Sequence, residues 1–234
     1  MSLQVRQRLG VADVMTLCNA VLGVVAMVVA VTVGPTAAAR LILLAAVADG
    51  LDGLIARSYG STDVGPLLDS VADVVSFGTA PALFLWAATE GAISDGIPQS
   101  LPVADALAIL AVSAVPAVIV VFSLTRTVLY TVHVGDDENR PGIQNTLAAS
   151  ILAAAYLAGV SMPAALLVAG VVLSVLMVAP VPYPKLANRD TLVMGFIQCG
   201  AILLPTAFFR VFPRLLLVGA LAYMTLAPWY YWGE

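Results

Sequence analysis

Residues 41–81 read LILLAAVADGLDGLIARSYGSTDVGPLLDSVADVVSFGTAP. Two apolar runs meet here across a short polar connection. Both carry acids inside otherwise hydrophobic sequence: Asp49 and Asp52 near the end of the first, Asp69 and Asp73 near the start of the second. An ionisable group at membrane depth is costly unless it is paired, solvated or bound to metal, so acids placed there mark function. Their spacing is helical. Asp49 and Asp52 stand at i,i+3 and Asp69 and Asp73 at i,i+4, which puts each pair on one helix face, about 4.5 and 6 Å apart along the axis. The connection 58–64 is short, so the two helices are antiparallel neighbours and their four carboxylates converge.

The pattern extends along the whole chain. Hydrophobic residues make up 61% and charged residues 10% of 234, with a mean hydropathy of +1.01, far from the roughly 25% charged content of soluble domains. Apolar runs bounded by Gly, Pro or charge fall at 13–33, 36–56, 65–89, 104–132, 144–160, 163–180, 191–209 and 213–232. The runs are near the ~20 residues a membrane-crossing helix needs, and they lack the strict alternation of a transmembrane barrel. The expected fold is all-α, a polytopic membrane helical bundle of about eight transmembrane helices forming one domain over 1–234. The opening does not read as a cleaved signal, because no small-residue cleavage site follows its apolar core.

Seven of the ten basic residues fall on one side of such a bundle: Arg6, Arg8, Arg57, Arg126, Arg140, Lys185 and Arg189. Arg40, Arg210 and Arg214 fall on the other. The positive-inside bias then puts both termini and the 58–64 connection in the cytoplasm, in the plasma membrane. A net charge of −4 offers nothing to nucleic acid. His133 is the only histidine, which argues against a zinc site or a Ser/His/Asp triad, and it reads as a solvated residue at a helix end. Cys18 and Cys199 lie inside apolar runs without metal-ligand spacing and read as small buried hydrophobes.

Four carboxylates gathered within a few ångströms raise one another's pKa, and oxygen-seeking cations relieve that repulsion. Mg²⁺ or Mn²⁺ suit such ligands and bridge to substrate phosphates, and two ions could clamp a pyrophosphate during displacement. Gly53 and Gly65 clear side chains from the carboxylate face and let a nucleotide approach the backbone. Arg57 could reach the pyrophosphate. Pairing between acids and arginines to hold helices together is the plainer alternative, but four acids against one nearby arginine leave excess charge that pairing does not explain.

The run Asp49-Gly-Leu-Asp52-Gly53-Leu-Ile-Ala56-Arg57, followed by Gly65-Pro-Leu-Leu-Asp69-Ser-Val-Ala-Asp73, resembles the signature of the CDP-alcohol phosphotransferase family, D-x-x-D-G-x-x-A-R and then G-x-x-x-D-x-x-x-D. Within that family, 69–81 and 176–185 resemble the phosphatidylserine synthase type. Residues 123–128 depart from it, keeping only Arg126 of its two arginines, and so do 141–146.

The resemblance implies a six-helix catalytic core, about 13–185, with two additional spans at 191–232. It also implies a homodimer and a site opening to the cytoplasm. The implied reaction passes a phosphatidyl-type group from CDP-diacylglycerol or CDP-archaeol to serine and releases CMP. Asp49, Asp52, Asp69 and Asp73 would hold two Mg²⁺ or Mn²⁺ ions, and Asp73 would be the general base. Asp49, Asp52, Gly53, Ala56, Arg57 and Gly65 would bind the CDP-lipid.

Serine carries a carboxylate, for which Arg126 is the first candidate and Lys185, beside Tyr183, the second. Asn145 and Gln144 could line the same pocket or cap a helix, capping being the favoured reading of Asn145. Thr16 and Asn19 could face the nucleotide or bond between helices. Rival acceptors are glycerol phosphate and inositol phosphate, which would demand more cationic residues. A cation channel or transporter would explain acids in helices but not the D-G-x-x-A-R arrangement.

Overall fold

Eight apolar runs become eight helices in the computed structural model, which describes residues 9–60, 62–96, 103–133, 140–183 and 188–230. They are α1 (Val11–Thr32), α2 (Pro35–Tyr59), α3 (Gly65–Ser94), α4 (Ala104–His133), α5 (Asn145–Ala158), α6 (Pro163–Met177), α7 (Asn188–Leu203) and α8 (Ala207–Tyr230). The fold is the expected all-α bundle of a multi-pass membrane protein. Two short strands, β1 (Arg140–Pro141) and β2 (Pro182–Tyr183), pair antiparallel beside the start of α5.

The helices divide by their surroundings. α1, α3, α4 and α8 are long and apolar enough to cross a membrane by length and composition. Along α1, Val14, Val21, Val25 and Val28 are exposed while Thr16, Asn19, Gly23, Ala26 and Ala30 are buried, so one stripe faces lipid and the other the bundle. α5 has only 14 residues, about 21 Å of rise against ~30 Å of hydrocarbon. It is buried nearly all round, from Ala148 to Ala155 without a break, which fits a central helix sheltered by neighbours.

α2 runs between α1, α5 and α7. Its first half is apolar core: Ala38, Ala39, Ile42, Leu43 and Ala45 are fully buried, in one cluster with Phe77, Phe84 and Leu85 of α3 and Ala153 and Ala154 of α5. Alanines there let backbones come close, which is how membrane helices gain packing energy.

α3 is not uniform. Asp73 ends its first α-helical stretch, and Val74–Thr79 follow as a π-helical turn before the α-helix resumes at Ala80. The turn is held against α1: Ser76 Oγ donates to the Asn19 carbonyl at 2.9 Å, and a Cβ on Gly23 would stand 2.8 Å from Ser76 Cα. Only glycine allows that approach. π-Turns of this kind concentrate at functional sites, and this one begins one residue after Asp73.

Two expectations are corrected. The last two runs, expected to divide near residues 210–213, divide instead after Leu203, and Phe208, Phe209 and Arg210 adopt left-handed backbone with φ of 49°, 57° and 65°. Each non-glycine residue so placed costs roughly 1–2 kcal/mol. Apolarity continues through this turn, so hydropathy could not locate it. Cys18 and Cys199 are exposed rather than buried. In a membrane the outward face is as apolar as the core, so hydrophobic sequence does not distinguish the two.

Candidate functional site

The α2 chain leaves its apolar half and presents Asp49, then Asp52 one turn later; α3 returns antiparallel with Asp69 and Asp73. Three of the four expected ligands converge. One carboxylate oxygen each from Asp49, Asp69 and Asp73 lies within 4.8 Å of the others. Thr146, in the first turn of α5, donates its hydroxyl to Asp49 Oδ2 at 3.2 Å and steers that carboxylate. Asp73 Oδ1 is buried and has no hydrogen-bond partner among the described residues. A buried carboxylate oxygen with nothing to accept from, beside two further acids, fits a hard divalent cation, which takes oxygen ligands.

Asp52 stands apart from that triad. It is 7% exposed, and its Oδ2 accepts from Thr16 Oγ1 of α1 at 2.9 Å. Thr16 thus bonds between helices in this structure, one of the two readings open to it. Asn19, one turn further along α1, is fully buried, and neither its amide nitrogen nor its amide oxygen has a hydrogen-bond partner among the described residues.

Sequence reading overlooked Asp13. It is 2% exposed at the start of α1, and its Oδ2 accepts from the Gly10 amide at 2.7 Å and from Thr62 Oγ1 at 2.8 Å. Thr62 Oγ1 in turn accepts from the Gly65 amide at 3.1 Å, so the entry to α3 is tied to the entry to α1. The available signal was an acid at the opening of the first apolar run, where it accepts from the Gly10 amide at the helix start.

Arg126 of α4 lies within electrostatic reach of Asp73, and its guanidinium is 5.4 Å from the ring centre of Tyr130, one turn further on. Asn145 is 1% exposed. Capping, the favoured reading, is corrected: Asn145 is the first residue of α5, Gln144 holds the cap position, and Asn145 Nδ2 crosses to Thr127 Oγ1 of α4 at 2.9 Å. Its Oδ1 is buried without a partner among the described residues. Thr127 and Thr146 were also missed, because a threonine in an apolar run carries no signal until a neighbouring helix supplies its partner.

Tyr183 of β2 turns toward α8, its hydroxyl donating to the Met224 carbonyl at 3.1 Å and its ring 6.3 Å from that of Tyr223. Burial pushes the phenol above its ordinary pKa, keeping it a donor. Gly53 and Gly65 lie on the acid-bearing stretches, both partly buried. Ala56 and Arg57 fall within α2 with side chains outside the described residues, as is His133 in α4, and Lys185 lies outside them altogether.

Comparison with known proteins matches residues 9–180 to the model of the CDP-alcohol phosphatidyltransferases. The chain is similar to the archaetidylserine synthase of Methanothermobacter thermautotrophicus, 29% identical over 74% of this chain and 69% of that one. It is also similar to the CDP-diacylglycerol–serine O-phosphatidyltransferases of Methanocaldococcus jannaschii, 37% identical over 35% of this chain and 38% of the relative, and of Mycobacterium leprae, 52% identical over 23% and 18%. The latter two alignments thus span well under half of those relatives.

Proposed function

The chain belongs to the CDP-alcohol phosphatidyltransferase family, and from that premise we propose that it transfers a phosphatidyl-type group from a CDP-activated lipid to serine, releasing CMP. The observation that carries the reading is the convergence of Asp49, Asp69 and Asp73, with a buried oxygen on Asp73 that has no hydrogen-bond partner among the described residues. Serine as acceptor is supported by the names of the relatives and by Arg126, a cation beside the acids.

In this reading Asp49, Asp52, Asp69 and Asp73 hold two Mg²⁺ or Mn²⁺ ions, which when bound neutralise charge on the pyrophosphate. Asp49 and Asp52 with Gly53, Ala56, Arg57 and Gly65 seat the CDP end. Asp73 takes the proton of the serine hydroxyl as that oxygen bonds to the lipid-side phosphorus; the bond from this phosphorus to the bridging oxygen breaks, and CMP leaves with the electron pair. Arg126 holds the serine carboxylate, and Asn145, whose Oδ1 has no partner among the described residues, offers an acceptor to the ammonium. Positioning and electrostatics supply most of the acceleration.

The catalytic core is about 13–185 within a single domain, and the protein is a homodimer in the plasma membrane with its site toward the cytoplasm. The donor is CDP-diacylglycerol or CDP-archaeol. Purified protein given CDP-lipid, Mn²⁺ or Mg²⁺ and one alcohol at a time tests the reaction: CMP release should require serine. Release with glycerol phosphate or inositol phosphate instead would reassign the acceptor, and none with any alcohol would overturn the reading. For orientation, Ser61→Cys in a background lacking Cys18 and Cys199 should react with an impermeant thiol reagent only after cells are opened.

A further inference from the structure

The family match ends at residue 180, so α7 and α8 lie beyond it. At the end of the bundle away from the aspartates, the α7–α8 turn closes over the start of α2 and the end of α5. Thr36 stands there, 13 residues before Asp49 on the same helix, about 20 Å by helical rise.

A cavity of about 290 Å³ opens at this seam, its lining including Thr36, Tyr156, Gly159, Ser161, Thr206 and Arg210. A second cleft of about 240 Å³ shares Thr36 and includes Arg40. Among the described residues the two linings contain two arginines and no acid. Arg40 and Thr36 are i,i+4 on α2 and share a face, and Arg40 is fixed by donating Nε to the Ile202 carbonyl of α7 at 2.6 Å.

Arg210 reaches the cavity through an unusual backbone. It is the last of three consecutive left-handed residues, the first two of which, Phe208 and Phe209, are 77% and 90% exposed. The turn therefore sends two aromatic rings outward while Arg210 Nη1 lies against Gly159, where a Cβ would come within 2.9 Å. The carbonyls of Ala155 and Tyr156 at the end of α5 already accept from the amides of Val160 and Gly159, so those two need no cap from Arg210. Strained backbone persists where the surroundings hold it, and it concentrates at ligand clamps.

We propose that this seam is a second lipid site, binding the phosphate of an anionic phospholipid at the end of the bundle opposite the aspartates. Arg210 is the principal contact, Arg40 adds positive charge, and the hydroxyls of Thr36, Ser161 and Thr206 donate to the remaining oxygens. A lipid fits better than a soluble anion because the rim is apolar. Leu203, Leu204, Phe208 and Phe209 are all exposed there, a surface for acyl chains beside a polar headgroup pocket.

Native mass spectrometry of the purified full chain in neutral detergent, titrated with short-chain phosphatidylglycerol, counts the bound lipid without reference to catalysis. Arg210→Gln should carry one lipid fewer than the unaltered protein at matched concentration, its affinity at that site falling at least about tenfold, as for loss of a charge-assisted contact. Thr206→Trp, which fills the cavity and keeps both arginines, should lose the same lipid; either variant suffices if the other does not fold. Diacylglycerol, with the chains but no phosphate, should not occupy the site, and Arg214→Gln, at a residue outside the lining, should bind normally. Unchanged lipid counts in Arg210→Gln and Thr206→Trp overturn the proposal. So does equal loss in Arg214→Gln, which would mean diffuse surface attraction, or displacement by inorganic phosphate alone, which would mean a free-anion site.

Discussion

Asp49 and Asp52 stand one turn apart on the same helix and keep different company. Asp49 is drawn toward α3 and α5, among Asp69, Asp73 and Thr146; Asp52 is drawn toward α1, where Thr16 donates to it. A motif that reads as four equivalent acids thus resolves into a triad, in which Asp73 Oδ1 has no hydrogen-bond partner among the described residues, and a fourth carboxylate that accepts from Thr16. α2 serves both groups because it runs between α1 and α5, with its acids near the end of its buried face.

The largest effects should come from the triad. Asp49→Ala and Asp69→Ala should each abolish CMP release in protein that still inserts and folds, and Asp73→Asn, which keeps size but removes the proton acceptor, should slow turnover by at least ~10²-fold. CDP-lipid binding should survive in part in the last. Near-normal turnover in any two of these would dissolve the distinction between the triad and its surroundings. Asp52→Ala belongs in the same series: complete loss would join it to the triad as a ligand, whereas a raised CDP-lipid KM at near-normal turnover would leave it outside.

Smaller effects separate the two supporting threonines. Outer hydrogen bonds to metal-binding side chains are typically worth 10–100-fold in metal affinity. Thr146→Val should therefore raise the Mn²⁺ concentration for half-maximal activity about tenfold. Thr16→Val tests Asp52: the same shift would make Asp52 a metal ligand, and no shift would assign it to aligning α1 with α2.

The acid face was legible in sequence because helical spacing alone places Asp49 with Asp52 and Asp69 with Asp73, whatever surrounds them. The hydroxyls that hold those acids were not. Thr146 lies 97 residues from Asp49, Thr16 lies 36 from Asp52, and an isolated threonine in an apolar run has no periodicity to betray it. At the opposite end, Thr36, Ser161 and Arg210 come from three separate connections or helix ends. Their meeting depends on a left-handed turn built from Phe208, Phe209 and Arg210, residue types that give no warning of it. Apolar composition likewise announced eight helices but could not separate lipid-facing Cys18 from buried Asn19, its neighbour in sequence.

Arg126 sharpens the comparison on the acceptor side. Lysine keeps the charge and loses the bidentate fork, so Arg126→Lys should raise the serine KM a few-fold and barely move the CDP-lipid KM. The reverse pattern would make Arg126 a phosphate ligand and reopen the identity of the acceptor. Proportional loss of both would point to a folding defect.

The smallest effect concerns Tyr183, where sequence suggested the acceptor pocket and the structure shows a bond to α8. Its hydroxyl donates to the Met224 carbonyl at 3.1 Å, and α8 also packs along α5, the helix that carries Asn145 and Thr146. If that bond is the hydroxyl's whole contribution, Tyr183→Phe removes one neutral hydrogen bond while preserving the ring and its contact with Tyr223. The expected cost is about 1 kcal/mol of stability, read as a lowered Tm in detergent with the serine KM unchanged. Met224 cannot be tested in the same way, because its acceptor is a backbone carbonyl and survives any side-chain replacement. A raised serine KM at unchanged Tm would instead place the hydroxyl against the acceptor during turnover. The bond to Met224 would then be a resting-state contact, and α8 would bear directly on acceptor binding through the atom that both compete for.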